Sequence, residues 1–228
     1  MQVNALDHVA LWVADRDRLA DFLCAHLGMH VIERTGDFTL VGADARRGKL
    51  TLFAADGERE PGVLDRVVLR VSDLQAALAA LPAGLEVDRA DGMARFEGPE
   101  RLGLGLVEAR EADPEYDLDH VILRVPDPIR TRDGLAVLGF TPDGDVRLLV
   151  GDKAVVLAQA DAAEGERPLL NHIALLVDSG RRQLEEAKRR GIEVAEVRDA
   201  ANTFAVFVWG PDRIKLEYVE HKPSFSLV

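Results

Sequence analysis

Leu170-Asn171-His172-Ile173-Ala174-Leu175-Leu176-Val177-Asp178 is the fourth copy of a phrase that runs through the chain. The earlier copies are Leu6-Asp7-His8-Val9-Ala10-Leu11-Trp12-Val13, Leu64-Asp65-Arg66-Val67-Val68-Leu69-Arg70-Val71 and Leu118-Asp119-His120-Val121-Ile122-Leu123-Arg124-Val125. Their third positions are residues 8, 66, 120 and 172, so the copies are 58, 54 and 52 residues apart. A regular period of this size marks a repeated architecture, with one supersecondary unit per repeat.

Each phrase alternates as a strand does. In the first, His8, Ala10 and Trp12 share one face and Val9, Leu11 and Val13 the other. The elements after each phrase repeat too. Asp15 or Asp17 caps a helix over 16–27 that Gly28 stops, and strands come next near 30–34, 37–43 and 48–54, turning at Gly36-Asp37 and around Arg46-Arg47-Gly48. The second unit has a helix from Ser72 or Asp73 to Leu81, then strands near 85–89, 92–97 and 102–108. The third has a helix near 129–138 and strands near 140–143, 145–150 and 153–159. The fourth has a strongly charged helix near 179–190, strands near 192–197, 203–209 and 213–220, and an irregular tail over 221–228. The order is β-α-β-β-β four times. The last strands of units two and four correspond as well: Pro99-Glu100-Arg101-Leu102-Gly103-Leu104-Gly105 aligns with Pro211-Asp212-Arg213-Ile214-Lys215-Leu216-Glu217. This predicts an α+β fold of four βαβββ modules paired into two curved half-barrel sheets. The polar segment 110–115 is expected to divide an N-terminal pair, 1–110, from a C-terminal pair, 116–228.

The chain has 228 residues, 47% of them hydrophobic, with mean hydropathy −0.03, enough for a substantial core in a soluble protein. A net charge of −12 leaves no basic surplus for phosphates, so nucleic-acid binding is not expected. It is compatible with a homodimer. Cys24 is alone, no secretory leader is recognised at the N-terminus, and no apolar run approaches the ~20 residues of a membrane span. A cytoplasmic protein is expected, with no membrane partner.

Two of the repeated phrases in the C-terminal half carry histidine, at His120 and His172. On the last strand, Ile214, Leu216 and Tyr218 alternate with Lys215, Glu217 and Val219, which puts Glu217 on the face of the histidines. If modules three and four share one sheet, His120, His172 and Glu217 converge. A histidine opening a strand is ordinarily a cap or core residue. Here two stand at equivalent positions, and a carboxylate in an otherwise apolar strand is costly without a partner. Two imidazoles and one carboxylate leave open positions on an octahedral ion, the arrangement of non-haem Fe(II) enzymes; Mn(II), Zn(II) and Ni(II) also suit it.

With its repeated histidine phrase and its closing Gly-Pro-Asp-Arg-Ile-Lys-Leu-Glu over 210–217, the chain resembles the vicinal oxygen chelate superfamily from about residue 6 to 220. That group includes glyoxalase I, bleomycin-resistance proteins and type I extradiol ring-cleavage dioxygenases. The resemblance is to the four-module dioxygenases, whose C-terminal half holds the metal at the places of His120, His172 and Glu217. It implies a dioxygenase-like oxidoreductase whose small substrate chelates Fe(II) through adjacent oxygens. On this reading His8 is a structural remnant, since Thr51 and Phe53 on the last strand of module one, and Arg66 and Gly105 in module two, offer it no ligand partners. The alternatives are a glyoxalase-type isomerase, lyase or thiol transferase, and a non-catalytic binder of the bleomycin-resistance kind. The resemblance also departs: Phe207 stands where extradiol enzymes carry tyrosine, and Arg198-Asp199-Ala200 where they carry histidine, so no general acid or base is named. Arg124, Thr203, Phe207 and Trp209 are the candidate substrate contacts, Arg124 for an anion and the two rings for a planar ligand.

Overall fold

The computed structural model describes residues 1–43, 45, 48–109, 115–161 and 167–225. Module one comprises β1 (Ala5–Val13), α1 (Arg16–His26), β2 (His30–Arg34), β3 (Phe38–Gly42) and β4 (Lys49–Ala54). Module two comprises β5 (Leu64–Val71), α2 (Leu74–Ala79), β6 (Asp88–Ala90), β7 (Met93–Glu97) and β8 (Gly103–Glu108). Module three has β9 (Tyr116–Val125), α3 (Pro128–Val137), β10 (Thr141–Pro142), β11 (Arg147–Val150) and β12 (Lys153–Gln159). Module four has β13 (Leu170–Leu176), α4 (Gly180–Arg190), β14 (Val194–Asp199), β15 (Thr203–Trp209) and β16 (Lys215–His221). The expected segment 110–115 and the turn at 46–47 lie outside the described residues, apart from Glu115, as does the end of the tail from residue 226.

The modules form for local reasons that recur. Each first strand runs into a side chain that caps the next helix: Asp15 accepts from Arg18 N, Asp73 from Gln75 and Ala76 N, Asp127 from Arg130 N and Ser179 from Arg182 N. Module two's last strand begins within a residue of expectation, and module four's begins two residues later, at Lys215. A short 3-10 turn over Pro99–Arg101 or Pro211–Arg213 precedes each, with Glu100, Arg101, Asp212 and Arg213 all at positive φ. These turns hold consecutive modules together. The Glu100 carboxylate accepts from Ala14 N at 2.7 Å, and that of Asp212 accepts from Thr131 Oγ1 and from the Arg130 guanidinium.

Two mixed eight-stranded sheets result, in the orders β14-β15-β16-β13-β1-β4-β3-β2 and β10-β11-β12-β9-β5-β8-β7-β6. This corrects the expected pairing. Module one shares its sheet with module four, and module two with module three. In every module the first strand pairs in parallel with the last, leaving its other edge to a second module. The two joints are antiparallel, β1 on β13 and β5 on β9. Alternation fixes which face of a strand is buried, and it says nothing about which module supplies the neighbouring edge.

Helices α1 and α4 pack on the first sheet, α2 and α3 on the second. One hydrophobic cluster draws on both, including Leu6, Val9 and Leu11 of β1, Val67 and Leu69 of β5, Val121 of β9 and Ile173 of β13. The opposite face of the first sheet opens on a cavity.

Candidate metal centre

The four joint strands carry the same irregularity. Register shifts set Asp7, Asp65, Asp119 and Asn171 out as bulges, each immediately before the key position of its phrase. A bulge breaks strict alternation and re-aims side chains. Here it lets two consecutive residues meet. Asp7 Oδ2 lies 2.8 Å from His8 Nδ1, Asn171 Oδ1 3.0 Å from His172 Nδ1, and Asp119 Oδ1 2.6 Å from His120 Nδ1. An acceptor at Nδ1 fixes the ring and leaves Nε2 as the outward nitrogen.

Pairing of β1 with β13 sets Ala10 opposite His172 and Ala174 opposite His8, so the two rings face each other across the joint. Beside β13, Glu217 of β16 is level with Ala174. His8, His172 and Glu217 thereby converge, their donor atoms all within 4.8 Å of one another. His8 Nε2 is 3.1 Å from His172 Nε2 and 3.3 Å from Glu217 Oε2, and His172 Nε2 is 2.8 Å from the same oxygen. The edge of an octahedral face is √2 times the bond length, about 3 Å for bonds of about 2.1 Å to nitrogen and oxygen. The spacing and chemistry of these three donors fit a divalent cation.

The sequence expectation of His120 is therefore corrected: His8 takes its place, and His120 lies on β9 in the second sheet. Register explains why the second sheet has no equivalent set. The positions matching His8, Thr51, His172 and Glu217 are Arg66, Gly105, His120 and Val156. His120 is the one metal-ligating type among them. A Cβ on Gly105 would lie 2.9 Å from Met93 Sδ, so a thioether fills the space beside the place that Thr51 holds in the first sheet.

The charges at the site are set by burial and by these neighbours. Burial opposes a charge on Glu217, but His172 and His8 outweigh it and bring its carboxyl down to about 2. Burial also opposes the His8 cation, but Asp7 and Glu217 together raise it to about 9. His172 is lowered by burial, which its contact with Glu217 does not offset. Asp7 is held far below the usual carboxylate range: burial would raise it, but the Lys49 ammonium, His221 and His8 prevail. Lys49 Nζ is 2.9 Å and His221 Nε2 3.1 Å from Asp7 Oδ1.

The cavity over the triad measures about 660 Å³, a volume suited to a small molecule. Thr203 and Phe207 line it, as expected, and Phe207 meets His172 edge to face with centroids 5.1 Å apart. Trp209 and Arg124 are corrections. Trp209 is not among the lining residues and lies beneath the Arg213 guanidinium at 4.1 Å. Arg124 sits on β9 in the second sheet, donating to Gly62 O and 3.8 Å from Asp65. Sequence reasoning missed Trp12, Phe53, Lys49, His221 and Phe225, all on the cavity wall. Trp12 was legible, since it shares the face of His8; His221 comes four residues after Glu217 on one face, which only the extension of β16 reveals.

The fold and the triad define a protein of paired βαβββ modules with a candidate divalent-metal site. The sequence model of the Glyoxalase/Bleomycin resistance protein/Dioxygenase superfamily matches residues 5–89, the first module and part of the second. No curated protein sequence matches it. Among solved structures, a putative dioxygenase from Bacillus subtilis superimposes with a TM-score of 0.78 at 19% identity, covering 98% of this chain and 87% of that one. Glyoxalase I from Zea mays gives 0.71 at 17% identity, over 95% and 92%. The cppA protein of Streptococcus pneumoniae gives 0.67 at 13%, over 96% and 100%. At these identities the likeness is one of fold.

Proposed function

We propose that the chain is a metal-dependent enzyme of the vicinal oxygen chelate kind. His8, His172 and Glu217 would hold Fe(II), or Mn(II), Zn(II) or Ni(II), and a small substrate would chelate through two adjacent oxygens. The observation that carries this is the facial two-histidine, one-carboxylate set on the wall of an aromatic cavity. Such an ion would supply Lewis-acid polarisation of the chelating oxygens and, if redox-active, electrons for O2, which is the extradiol dioxygenase-like reading. Thr51 occupies the place matching Glu217 in module one and adds no carboxylate there. Asp7 and Asn171 hold the two imidazoles in register. Phe53, Phe207 and Trp12 keep water from the substrate and present flat faces to it. His221, with Nε2 on Asp7, is the cavity imidazole outside the triad and is assigned to hold or pass a proton.

A second reading, an oxygen-independent isomerase, lyase or thiol transferase, is favoured by Phe207. It stands on the cavity wall where the resemblance to extradiol enzymes implies tyrosine. On either reading the two sheets would curve into half-barrels, and the protein would act on a small molecule in a reducing cytoplasm, alone or as a homodimer. No helix among the described residues is long and apolar enough to cross a membrane.

Metal content after anaerobic purification without chelators tests this. Wild type should hold about one divalent ion per chain. His8→Ala, His172→Ala and Glu217→Ala should lose it, and His120→Ala should keep it. Iron with oxygen uptake on catechols supports the first reading, and zinc or nickel with oxygen-independent turnover the second. Failure to take up any of the four ions overturns both.

A further inference from the structure

Lys215 stands on the cavity wall two residues before Glu217 on β16, where alternation puts both side chains on one face. Its ammonium lies 4.8 Å from the centroid of the Phe207 ring and 5.9 Å from that of Trp209. The other cations lining the cavity are engaged. Arg198 Nε is 2.6 Å from Glu196, and Lys49 Nζ is 2.9 Å from Asp7. Lys215 makes no ion pair among the described residues. Half-buried and over aromatic faces, its ammonium feels Glu196 through space but has no carboxylate at ion-pair distance among the described residues.

We infer that Lys215 is an anion subsite, and that the substrate carries a carboxylate or similar anion beyond its chelating oxygens. Two residues along a strand span about 7 Å, which sets the separation between the anion and the triad. Phe207 is level with Glu217 across the β15–β16 pair and lies under the Lys215 ammonium, so its ring bridges the two ends. The ligand class is a small, flat, apolar-bodied acid with vicinal oxygens at one end and its anion at the other. The chelating end rests on the metal reading above; the anion end rests on Lys215 alone.

The experiment compares 3,4-dihydroxybenzoate with catechol on Fe(II)-loaded protein without oxygen, read as equilibrium binding by calorimetry. Wild type should prefer the acid by about tenfold or more, the worth of one charge-assisted contact. Lys215→Met keeps the apolar stem over Phe207 and should lose that preference; Lys215→Arg should retain it. Thermal melts check that both variants are folded. A parallel arm uses metal-free protein with benzoate and benzyl alcohol, read by tryptophan fluorescence. A Lys215-dependent preference for benzoate supports the subsite even if the metal reading fails. Equal affinity for acid and neutral probe in wild type, or an equal loss of both in Lys215→Met, overturns it.

Discussion

At the scale of single residues, the triad depends on the side chain that precedes each histidine. Asn171 is a plain case: its amide oxygen accepts from His172 Nδ1 and carries no charge of its own to confuse the outcome. Asn171→Ala should weaken metal affinity by about 10- to 100-fold while leaving the far-ultraviolet circular dichroism unchanged. A metal titration with a competing chromophoric chelator would check it, and an affinity equal to wild type would mean that packing alone, chiefly Phe207 against the ring, sets His172. His120 marks the limit of residue-level reading. It has a bulged acceptor beside it as the proposed ligands do and is buried like His172, yet among the described residues it joins no cluster of metal-ligating groups.

At the scale of elements, the first strand, its bulge and the helix cap behave as one repeated device, and the 3-10 turn is a second. Asp212 sits at φ 51°, a conformation few side chains favour, and accepts from the fully buried hydroxyl of Thr131. Asp212→Ala removes that acceptor and leaves Thr131 unpaired, which should cost about 1–3 kcal/mol in urea unfolding. Metal content should be unchanged, because the turn lies outside the cavity wall. Element order, the caps of the first two helices and most strand ends were legible in the sequence, since each is dictated by alternation, a capping side chain or a glycine stop. The delayed start of β16 was not: Arg213 reads as the head of a strand until its positive φ is known.

At the scale of the whole molecule, the joint between the first and last modules decides where chemistry can occur. His8 comes from one end of the chain, and His172 and Glu217 from the other, 164 residues away for the two histidines. Fragments 1–110 and 116–228 should therefore each fail to bind a stoichiometric divalent ion. Co-expressed, they should bind one, because β1 regains β13 and β5 regains β9. Metal analysis of the three preparations checks this, and full binding by 116–228 alone would restore the pairing expected from chain order. That pairing looked natural because modules one and two, and modules three and four, do touch, through Glu100 and Asp212, but they touch by turns and helices and not by strand edges.

By itself the sequence determined the four modules, the inward face of each strand, and two of the three members of the clustered triad, His172 and Glu217. These are properties of local periodicity, with side chains alternating every second residue and repeats keeping their phase. Only the tertiary structure decided that module one joins module four, that His8 and not His120 completes the triad, and that Arg124 and Trp209 stand away from it. The physical reason is that a free strand edge offers the same backbone donors and acceptors whichever module it belongs to. The choice of partner is made by the packing of the whole core, which no single stretch of the chain encodes.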